Sequence, residues 1–257
     1  MTSPSSLLKT LSGALALAVV STGAGADSPG ELIQKGDFFY AKLQAAEALK
    51  YYLPAEKLDP KNARLLVRIA REYRHLMSDA TNASEKRQLG NTAVDYAQRA
   101  VALSPNDPDT QLGVAISYGK MLPMEGTGQQ IANSRLIKIA ADKAIALDPN
   151  NDLAWHILGR WYLALADVGI VKRAWARVAY DKLPPARYED AVRCFEKAKA
   201  LNPDRLMHYI ELGRTYAKMG RDEDARKFIT KGLAMSDTEK DDPETKNLGR
   251  QILKKLR

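Results

Sequence analysis

The chain has 257 residues, of which 45% are hydrophobic and 27% charged, enough to bury one large domain or two small ones. Its net charge of +8 comes from 39 basic and 31 acidic residues spread along the chain, without basic runs interleaved with aromatic residues. This pattern argues against nucleic acid as the binding partner and favours an acidic protein or a membrane surface. The single cysteine, Cys194, excludes an internal disulfide. His75, His156 and His208 lack metal-ligand spacing and are typical of packing or surface positions, so we expect no metal or cofactor.

Residues 1–26 differ in composition from the rest of the chain. Lys9 is their only charged residue, an apolar stretch runs from Leu11 to Val20, and the segment ends in Ala24-Gly25-Ala26. This order is typical of a secretory signal peptide, and the apolar stretch is short for a membrane span of about 20 residues. We predict cleavage after Ala26 and a periplasmic or secreted protein. The alternatives are a retained N-terminal anchor or a cytoplasmic protein.

An Ala-x-x-Leu-x-Pro phrase recurs along the chain and ends at Pro60, Pro105, Pro149 and Pro203. The prolines are 45, 44 and 54 residues apart, which is a unit of 34 with insertions of 11, 10 and 20. A period of 34 is that of the tetratricopeptide repeat, in which a helical hairpin stacks on its neighbours. We therefore predict an all-α fold, a right-handed superhelix of about five helical hairpins with a C-terminal capping helix.

The small and aromatic positions of the repeat recur in register. Trp155, Leu158, Gly159 and Tyr162 form its W-x2-L-G-x2-Y pattern. The small residue lets the two helices of a unit approach closely, and the aromatic residue fills the space beside them. The same pair of positions holds Gly36 and Phe39, Ala70 and Tyr73, Ala115 and Tyr118, and Gly213 and Tyr216.

We predict a repeat array over residues 27–240 and a capping helix over residues 241–257. Insertions near residues 77–87, 120–130 and 165–186 are expected between the two helices of their units. The third contains Val171, Trp175 and Val178 at helical spacing, which predicts an added helix. Asp242-Pro243-Glu244 is a typical helix start, because it combines acids with proline at the first turn.

The first helices of stacked hairpins line a concave surface. Guanidinium groups on such a surface bind carboxylates or phosphates through paired hydrogen bonds. We place Arg71, Arg160 and Arg214 at the centre of an anion-binding groove. The alternative is that these arginines pair with acids on neighbouring helices or are solvated. The full set of predicted ligand-binding residues is Tyr40, Arg71, Arg74, Lys120, His156, Arg160, Arg214 and Lys218.

The fourth unit and its insertion resemble a particular repeat family. The similar features are Leu158-Gly159-Arg160-Trp161, a Lys/Arg-Ala helix, a Leu-Pro turn and a Tyr-Glu-x-Ala helix in the stretch VKRAWARVAYDKLPPARYEDAV. These features are similar to those of the regulator of microtubule dynamics family, over roughly residues 30 to 235 and most strongly from Ile131 to Tyr216. The resemblance implies an all-helical, non-catalytic protein whose animal relatives associate with microtubules, or with membranes through an N-terminal anchor.

No catalytic motif such as G-x-S-x-G, H-E-x-x-H or a P-loop is present in the sequence, so we predict no enzymatic activity. The first hypothesis is an exported interaction scaffold whose basic concave groove binds an acidic peptide or protein. The second is a microtubule-associated regulator that binds tubulin. The third is binding of an anionic or amphipathic lipid, with Leu153, Leu163, Met207 and Ile210 beside the arginines. A lipid site predicts a closed apolar pocket beneath a cationic rim, whereas a peptide site predicts an open groove.

Overall fold

The computed structural model describes residues 27–167 and 186–256, which form α-helices joined by short turns. The predicted signal peptide and the helix predicted around Val171, Trp175 and Val178 lie outside these residues. A short 3-10 helix, Leu122–Met124, follows the fifth α-helix. In chain order the described α-helices are α1 (Pro29–Tyr40), α2 (Ala45–Leu58), α3 (Ala63–Asp79), α4 (Ala83–Leu103), α5 (Pro108–Met121), α6 (Thr127–Leu147), α7 (Asp152–Ala166), α8 (Tyr188–Leu201), α9 (Leu206–Lys218), α10 (Asp222–Leu233) and α11 (Asp242–Leu253).

The helices pair as five successive hairpins. α1 packs on α2, α3 on α4, α5 on α6, α7 on α8 and α9 on α10, and each hairpin also contacts the next along the chain. α11 packs on α9 and α10 and closes the array. This arrangement confirms the predicted all-α superhelix of helical hairpins with a capping helix.

The turns between hairpins explain why the Ala-x-x-Leu-x-Pro phrase is repeated. Two residues after the proline, an Asn or Asp side chain accepts a hydrogen bond from a backbone N–H group of the next helix and so caps the N-terminus of that helix. Asn62 accepts from Leu65, Asp107 from Asp109 and Asn151 from Ala154. Arg205 occupies this position in the fourth turn and makes no side-chain cap. The phrase therefore ends one hairpin and starts the next, and only the fourth copy departs from the pattern.

The glycines at the small position of the repeat are required by helix packing. A Cβ atom added to Gly159 would lie 2.8 Å from the Phe195 ring, and one added to Gly36 would lie 2.3 Å from the Tyr52 ring. Tyr52 and Phe195 are fully buried and have no room to move away. The close approach of the two helices in these units therefore depends on the missing side chain.

Residues that the repeat period assigns to the first two insertions largely lengthen the helices. α3 continues to Asp79, and α4 starts at Ala83 and has 21 residues. α6 also has 21 residues. The longer α3 carries Ser78 and Asp79 to the concave side of the array, where they meet the C-terminal part of the chain.

The segment between α10 and α11, residues 234–241, is non-helical, and we call it the C-terminal connector. Its two flanking helices are held by apolar packing of Ile210 and Ile229 with Ile252 and Leu253. With both ends fixed in this way, Glu239, Lys240 and Asp241 line the concave surface of the array.

Candidate binding cavity on the concave face

A cavity of about 350 Å³ lies on the concave face. It is lined by side chains from α1, α3, α5, α6 and α7, by Arg205 and Met207 at the start of α9, and by the C-terminal connector. Six of the eight sequence-predicted residues line it: Tyr40, Arg71, Arg74, Lys120, His156 and Arg160.

The other two predicted residues, Arg214 and Lys218, lie elsewhere. They line a hollow of about 540 Å³ between the end of α9 and α11, whose walls include Leu248 and Ile252. Lys218 forms an ion pair with Asp167, at 2.7 Å. The structure therefore divides the predicted groove into a cavity at its centre and a second hollow near the C-terminus.

Arg74 is the most buried cation of the cavity, with only 7% of its surface exposed. Its Nη1 donates a hydrogen bond to Ser117 Oγ at 2.9 Å. Among residues 27–167 and 186–256, no carboxylate forms an ion pair with it. Burial, together with the charge of Arg71, lowers the pKa of Arg74 to about 10, so the side chain is still charged at neutral pH. A buried cation therefore faces the cavity with a hydroxyl as its hydrogen-bond partner.

Arg71 lies beside Arg74 and is partly neutralised. Its Nε donates to the buried Glu72 at 2.8 Å, and its guanidinium carbon lies 3.2 Å from the centre of the Tyr40 ring. Glu72 Oε2 also lies 3.3 Å from His75 Nδ1, without hydrogen-bond geometry. Within the described part of the chain, Arg71 Nη2, Glu72 Oε2 and His75 Nδ1 are buried without a hydrogen-bond partner. Unpaired buried polar atoms are costly, so this end of the cavity is suited to a polar ligand or water.

Lys120 is neutralised by the C-terminal connector. Its Nζ lies 2.7 Å from Asp241 Oδ2, and Ser78 Oγ donates to Asp241 Oδ1 at 2.9 Å. Burial of Asp241 acts to raise its pKa, but Lys120 and Ser78 outweigh it, so the pKa of Asp241 lies below its usual range. Lys240 pairs with Asp79 of α3 at 2.8 Å. These contacts tie the connector to α3 and α5.

The opposite end of the cavity holds a network centred on Asp152, the first residue of α7. Asp152 Oδ2 accepts hydrogen bonds from Arg205 Nη1 at 2.7 Å and from His208 Nε2 at 2.8 Å. Arg205 Nη2 also donates to Glu239 at 3.1 Å. Burial acts to raise the pKa of Asp152, but its hydrogen bond with His208 and the Arg205 charge bring it below its usual range. Every charge of this network has an opposite charge within contact.

His156 extends the network into the cavity wall. Its Nδ1 lies 3.0 Å from His208 Nδ1, so one of these two nitrogens donates to the other. Burial, reinforced by the charges of His208, Arg160 and Arg205, lowers the pKa of His156 well below its usual range. The ring is therefore neutral at pH 7 and contributes a polar but uncharged surface to the cavity.

Arg160 and Arg214 share one acid. Arg160 Nε lies 3.6 Å from Glu211 Oε1, and Arg214 Nη1 lies 3.2 Å from Glu211 Oε2. Arg71, the third arginine of the predicted centre, pairs with Glu72. Of these three arginines, Arg160 pairs with an acid on a neighbouring helix, as the alternative weighed from the sequence expects, whereas Arg71 and Arg214 pair with acids of their own helices. Arg71 and Arg160 line the cavity, whereas Arg214 does not.

Apolar side chains complete the cavity wall. Ile116, Leu153, Ile157 and Met207 line it beneath the cations. Leu163 and Ile210, expected beside the arginines, are instead buried in the helix-packing core. The cavity therefore combines an apolar wall with a charged rim.

Several important residues were not singled out by the sequence. Arg205 had a detectable signal, because it replaces the Asn or Asp cap found in the three preceding turns. Ser78 and Asp241 carried no such signal, since 163 residues of sequence separate them. His208 was interpreted as a packing or surface histidine, and it is fully buried.

No helix within residues 27–167 and 186–256 is both long and apolar enough to span a bilayer.

Comparison with solved structures places the fold among tetratricopeptide-repeat proteins. A tetratricopeptide-repeat protein of Thermus thermophilus superposes with a TM-score of 0.64 at 18% identity, covering 88% of this chain and 99% of that one. At this identity the likeness establishes the fold alone.

Sequence comparison identifies the family. The regulator of microtubule dynamics protein 1 of Mus musculus is 28% identical over 226 residues, covering 87% of this chain and 73% of that protein. The protein of the same name from Bos taurus is 28% identical over 227 residues, covering 87% and 71%. The family profile described as regulator of microtubule dynamics protein 1-3 matches residues 32–257. The chain belongs to this family.

Proposed function

We propose that the protein is a non-catalytic interaction scaffold that binds an acidic segment of a protein partner in the concave cavity. The tetratricopeptide-repeat fold and the family of regulators support a scaffold. The observation that carries the acidic ligand is Arg74, a buried charge that faces the cavity without an ion-pair partner in the described chain.

The local charge balance favours a single carboxylate near Arg74. Glu72 pairs with Arg71 and Asp241 pairs with Lys120, so both acids act on the Arg74 charge only from beyond ion-pair distance. Removing a cation from water costs several kcal/mol unless an anion and hydrogen bonds replace the lost hydration. An aspartate or glutamate side chain supplies both, and its neighbours along the peptide can pack on the apolar wall.

The direct test is binding of a fluorescein-labelled octaglutamate peptide, followed by fluorescence anisotropy. Arg74→Met, which keeps an unbranched side chain without the charge, is expected to lose about tenfold or more in affinity, equivalent to about 1.4 kcal/mol. Arg64→Met is the matched control, because Arg64 lies on the same helix with 77% of its side chain exposed. Equal affinities for the wild type and Arg74→Met would contradict the proposal, as would equal binding of an octaglutamine peptide.

Microtubule binding is a second candidate, favoured by the family to which the chain belongs. The acidic tails of tubulin have the chemistry proposed for the ligand. Co-sedimentation with microtubules, before and after proteolytic removal of these tails, tests this candidate. We expect the tails to be required, and binding that survives their removal would exclude them as the cavity ligand.

An anionic, amphipathic lipid is a third candidate, favoured by the apolar wall of Ile116, Leu153, Ile157 and Met207. Flotation with phosphatidylcholine vesicles, with and without phosphatidylserine, separates it from the peptide proposal. A lipid ligand predicts that phosphatidylserine vesicles bind the wild type and bind Arg74→Met less well. A peptide ligand predicts no flotation with either protein.

We further propose that the protein acts after export, on the basis of the composition of residues 1–26. The intact mass of the protein purified from its native host tests this proposal. A mass corresponding to residues 27–257 is expected. A full-length mass would instead support a retained anchor or a cytoplasmic protein and bring the tubulin and membrane candidates forward.

A further inference from the structure

The C-terminal connector crosses the concave face and contacts three different hairpins. Asp241 binds Ser78 of α3 and Lys120 of α5, which belong to the second and third hairpins. Glu239 binds Arg205, at the start of the fifth hairpin. The connector therefore spans the opening between distant repeats, which a stack of hairpins in contact only with their neighbours does not do by itself.

Two of the groups that hold the connector are also part of the cavity wall. Lys120 and Arg205 line the cavity, and so do Glu239, Lys240 and Asp241. Two of the connector's carboxylates, Glu239 and Asp241, thus pair with Arg205 and Lys120, two cations that an acidic ligand would otherwise reach. This is the same chemistry as that proposed for the partner, supplied here from within the chain.

The connector is shaped locally and attached by pairs that remain in contact with water. The buried Asp242 carboxylate accepts hydrogen bonds from the backbone N–H groups of Thr238 and Glu239, at 2.8 and 2.7 Å. These bonds fix the turn without any contact to the cavity. The three attaching ion pairs, Lys120–Asp241, Arg205–Glu239 and Lys240–Asp79, are only partly buried. Partly solvated ion pairs are individually weak and are screened by salt. The Glu239 and Asp241 side chains can therefore leave Arg205 and Lys120 while the apolar packing of α11 stays intact.

We propose that the C-terminal connector is an internal occupant of the basic cavity, and that an acidic partner segment binds by displacing it from Lys120 and Arg205. The inference rests on the proposed binding of an acidic ligand and adds its regulation. Only molecules with a detached connector can bind, so the apparent affinity equals the intrinsic affinity multiplied by the fraction of such molecules. Its displacement frees Lys120 and removes one of the two carboxylates paired with Arg205, so bound ligand and detached connector stabilise each other.

Detachment can be measured without any ligand through the thiol introduced by Ser78→Cys, at the contact with Asp241. The native Cys194 gives a low background, because it is buried and burial raises its pKa to about 12. Alkylation by iodoacetamide, a neutral reagent, is followed by mass spectrometry. The double variant Glu239→Gln, Asp241→Asn is expected to react about tenfold faster than the parent protein, since it loses both cavity-facing carboxylates.

Asp237→Asn is the matched control. It removes the same charge from the same connector, but Asp237 pairs with Lys246 of α11 and does not line the cavity. We expect its alkylation rate to equal that of the parent. Equal alkylation rates in Ser78→Cys alone, in Ser78→Cys with the double substitution and in Ser78→Cys with Asp237→Asn would overturn the proposal. The cavity contacts would then not hold the connector in place.

Binding of labelled octaglutamate to the same variants, without the Ser78 substitution, tests the competition. We expect the double variant to bind about tenfold more tightly than the wild type and Asp237→Asn to bind equally. Faster alkylation with unchanged octaglutamate affinity would overturn displacement, because the ligand would then bind beside the connector. Octaglutamate that binds neither the wild type nor the double variant would refute the proposed function, and with it displacement, while the alkylation rates still report whether the cavity contacts hold the connector.

Discussion

The two ends of the concave cavity use arginine in opposite ways. At the end formed by α7 and α9, Arg205 lies between Asp152 and Glu239, and each of its two terminal nitrogens donates to a carboxylate. At the end formed by α3, Arg74 is more deeply buried, yet its hydrogen bond goes to a hydroxyl. The depth of burial therefore does not decide how an arginine of this cavity is paired, since the less buried Arg205 has two carboxylate partners and the more buried Arg74 has a hydroxyl.

The largest predicted effect is a difference in stability between two equivalent substitutions. Arg205→Met leaves the partly buried Asp152 with only His208, and we expect it to lower the free energy of unfolding by about 2 kcal/mol or more. Arg74→Met loses one hydrogen bond but also removes a buried, unpaired charge. We expect it to change the free energy of unfolding by less than about 1 kcal/mol. Urea denaturation monitored by circular dichroism measures both.

The control for this pair is again Arg64→Met, on the exposed face of α3, for which about zero change is expected. A larger loss for Arg74→Met than for Arg205→Met would reverse the comparison and assign Arg74 a structural role. Addition of octaglutamate sharpens the contrast, because a ligand that binds the native state should stabilise the wild type and Arg64→Met but not Arg74→Met.

The paired end is also expected to be sensitive to acid. The pKa of His156 is depressed in the folded state. Below about pH 6.5 the histidine of the unfolded chain therefore binds a proton, whereas the buried ring of the folded protein stays neutral. Stability supplied by the neutral ring is therefore present above pH 6.5 and is lost as the pH falls through that value. Between pH 7.5 and 5.5 the free energy of unfolding should fall by about 1 kcal/mol less in His156→Gln than in the wild type. Identical pH dependence in the two proteins would show that His156 is protonated in the folded state as readily as in the unfolded chain.

The fold was predictable because its determinants are local and repeated. The proline phrase, the cap residue two positions later and the small residue at Gly159 each act within one hairpin or between neighbours, so their spacing is visible in the sequence. The inward positions of the first helices follow from the same period, and Arg71 and Arg160, which occupy two of these positions, line the cavity.

The state of the cavity was not predictable, because it depends on contacts between distant parts of the chain. Asp241 neutralises Lys120 from a connector whose path is set by the packing of α11. Arg214 follows the repeat rule as well as Arg160 does, but α11 lies beside it and encloses a separate hollow. The repeat period predicts which side of a helix a residue occupies. It does not predict which residues from outside the repeat contact that residue.

The smallest predicted effect concerns the second hollow and decides whether it belongs to the same binding surface. Lys218 and Asp167 form an ion pair in which 42% and 41% of the side chains are exposed. Lys218→Gln is therefore expected to cost at most about 0.5 kcal/mol, and the difference should vanish in high salt. Since Lys218 lies outside the cavity, octaglutamate affinity should be unchanged in this variant. A clear loss of affinity would instead join the two hollows into one continuous groove and restore Lys218 and Arg214 to the binding surface that the repeat pattern predicts.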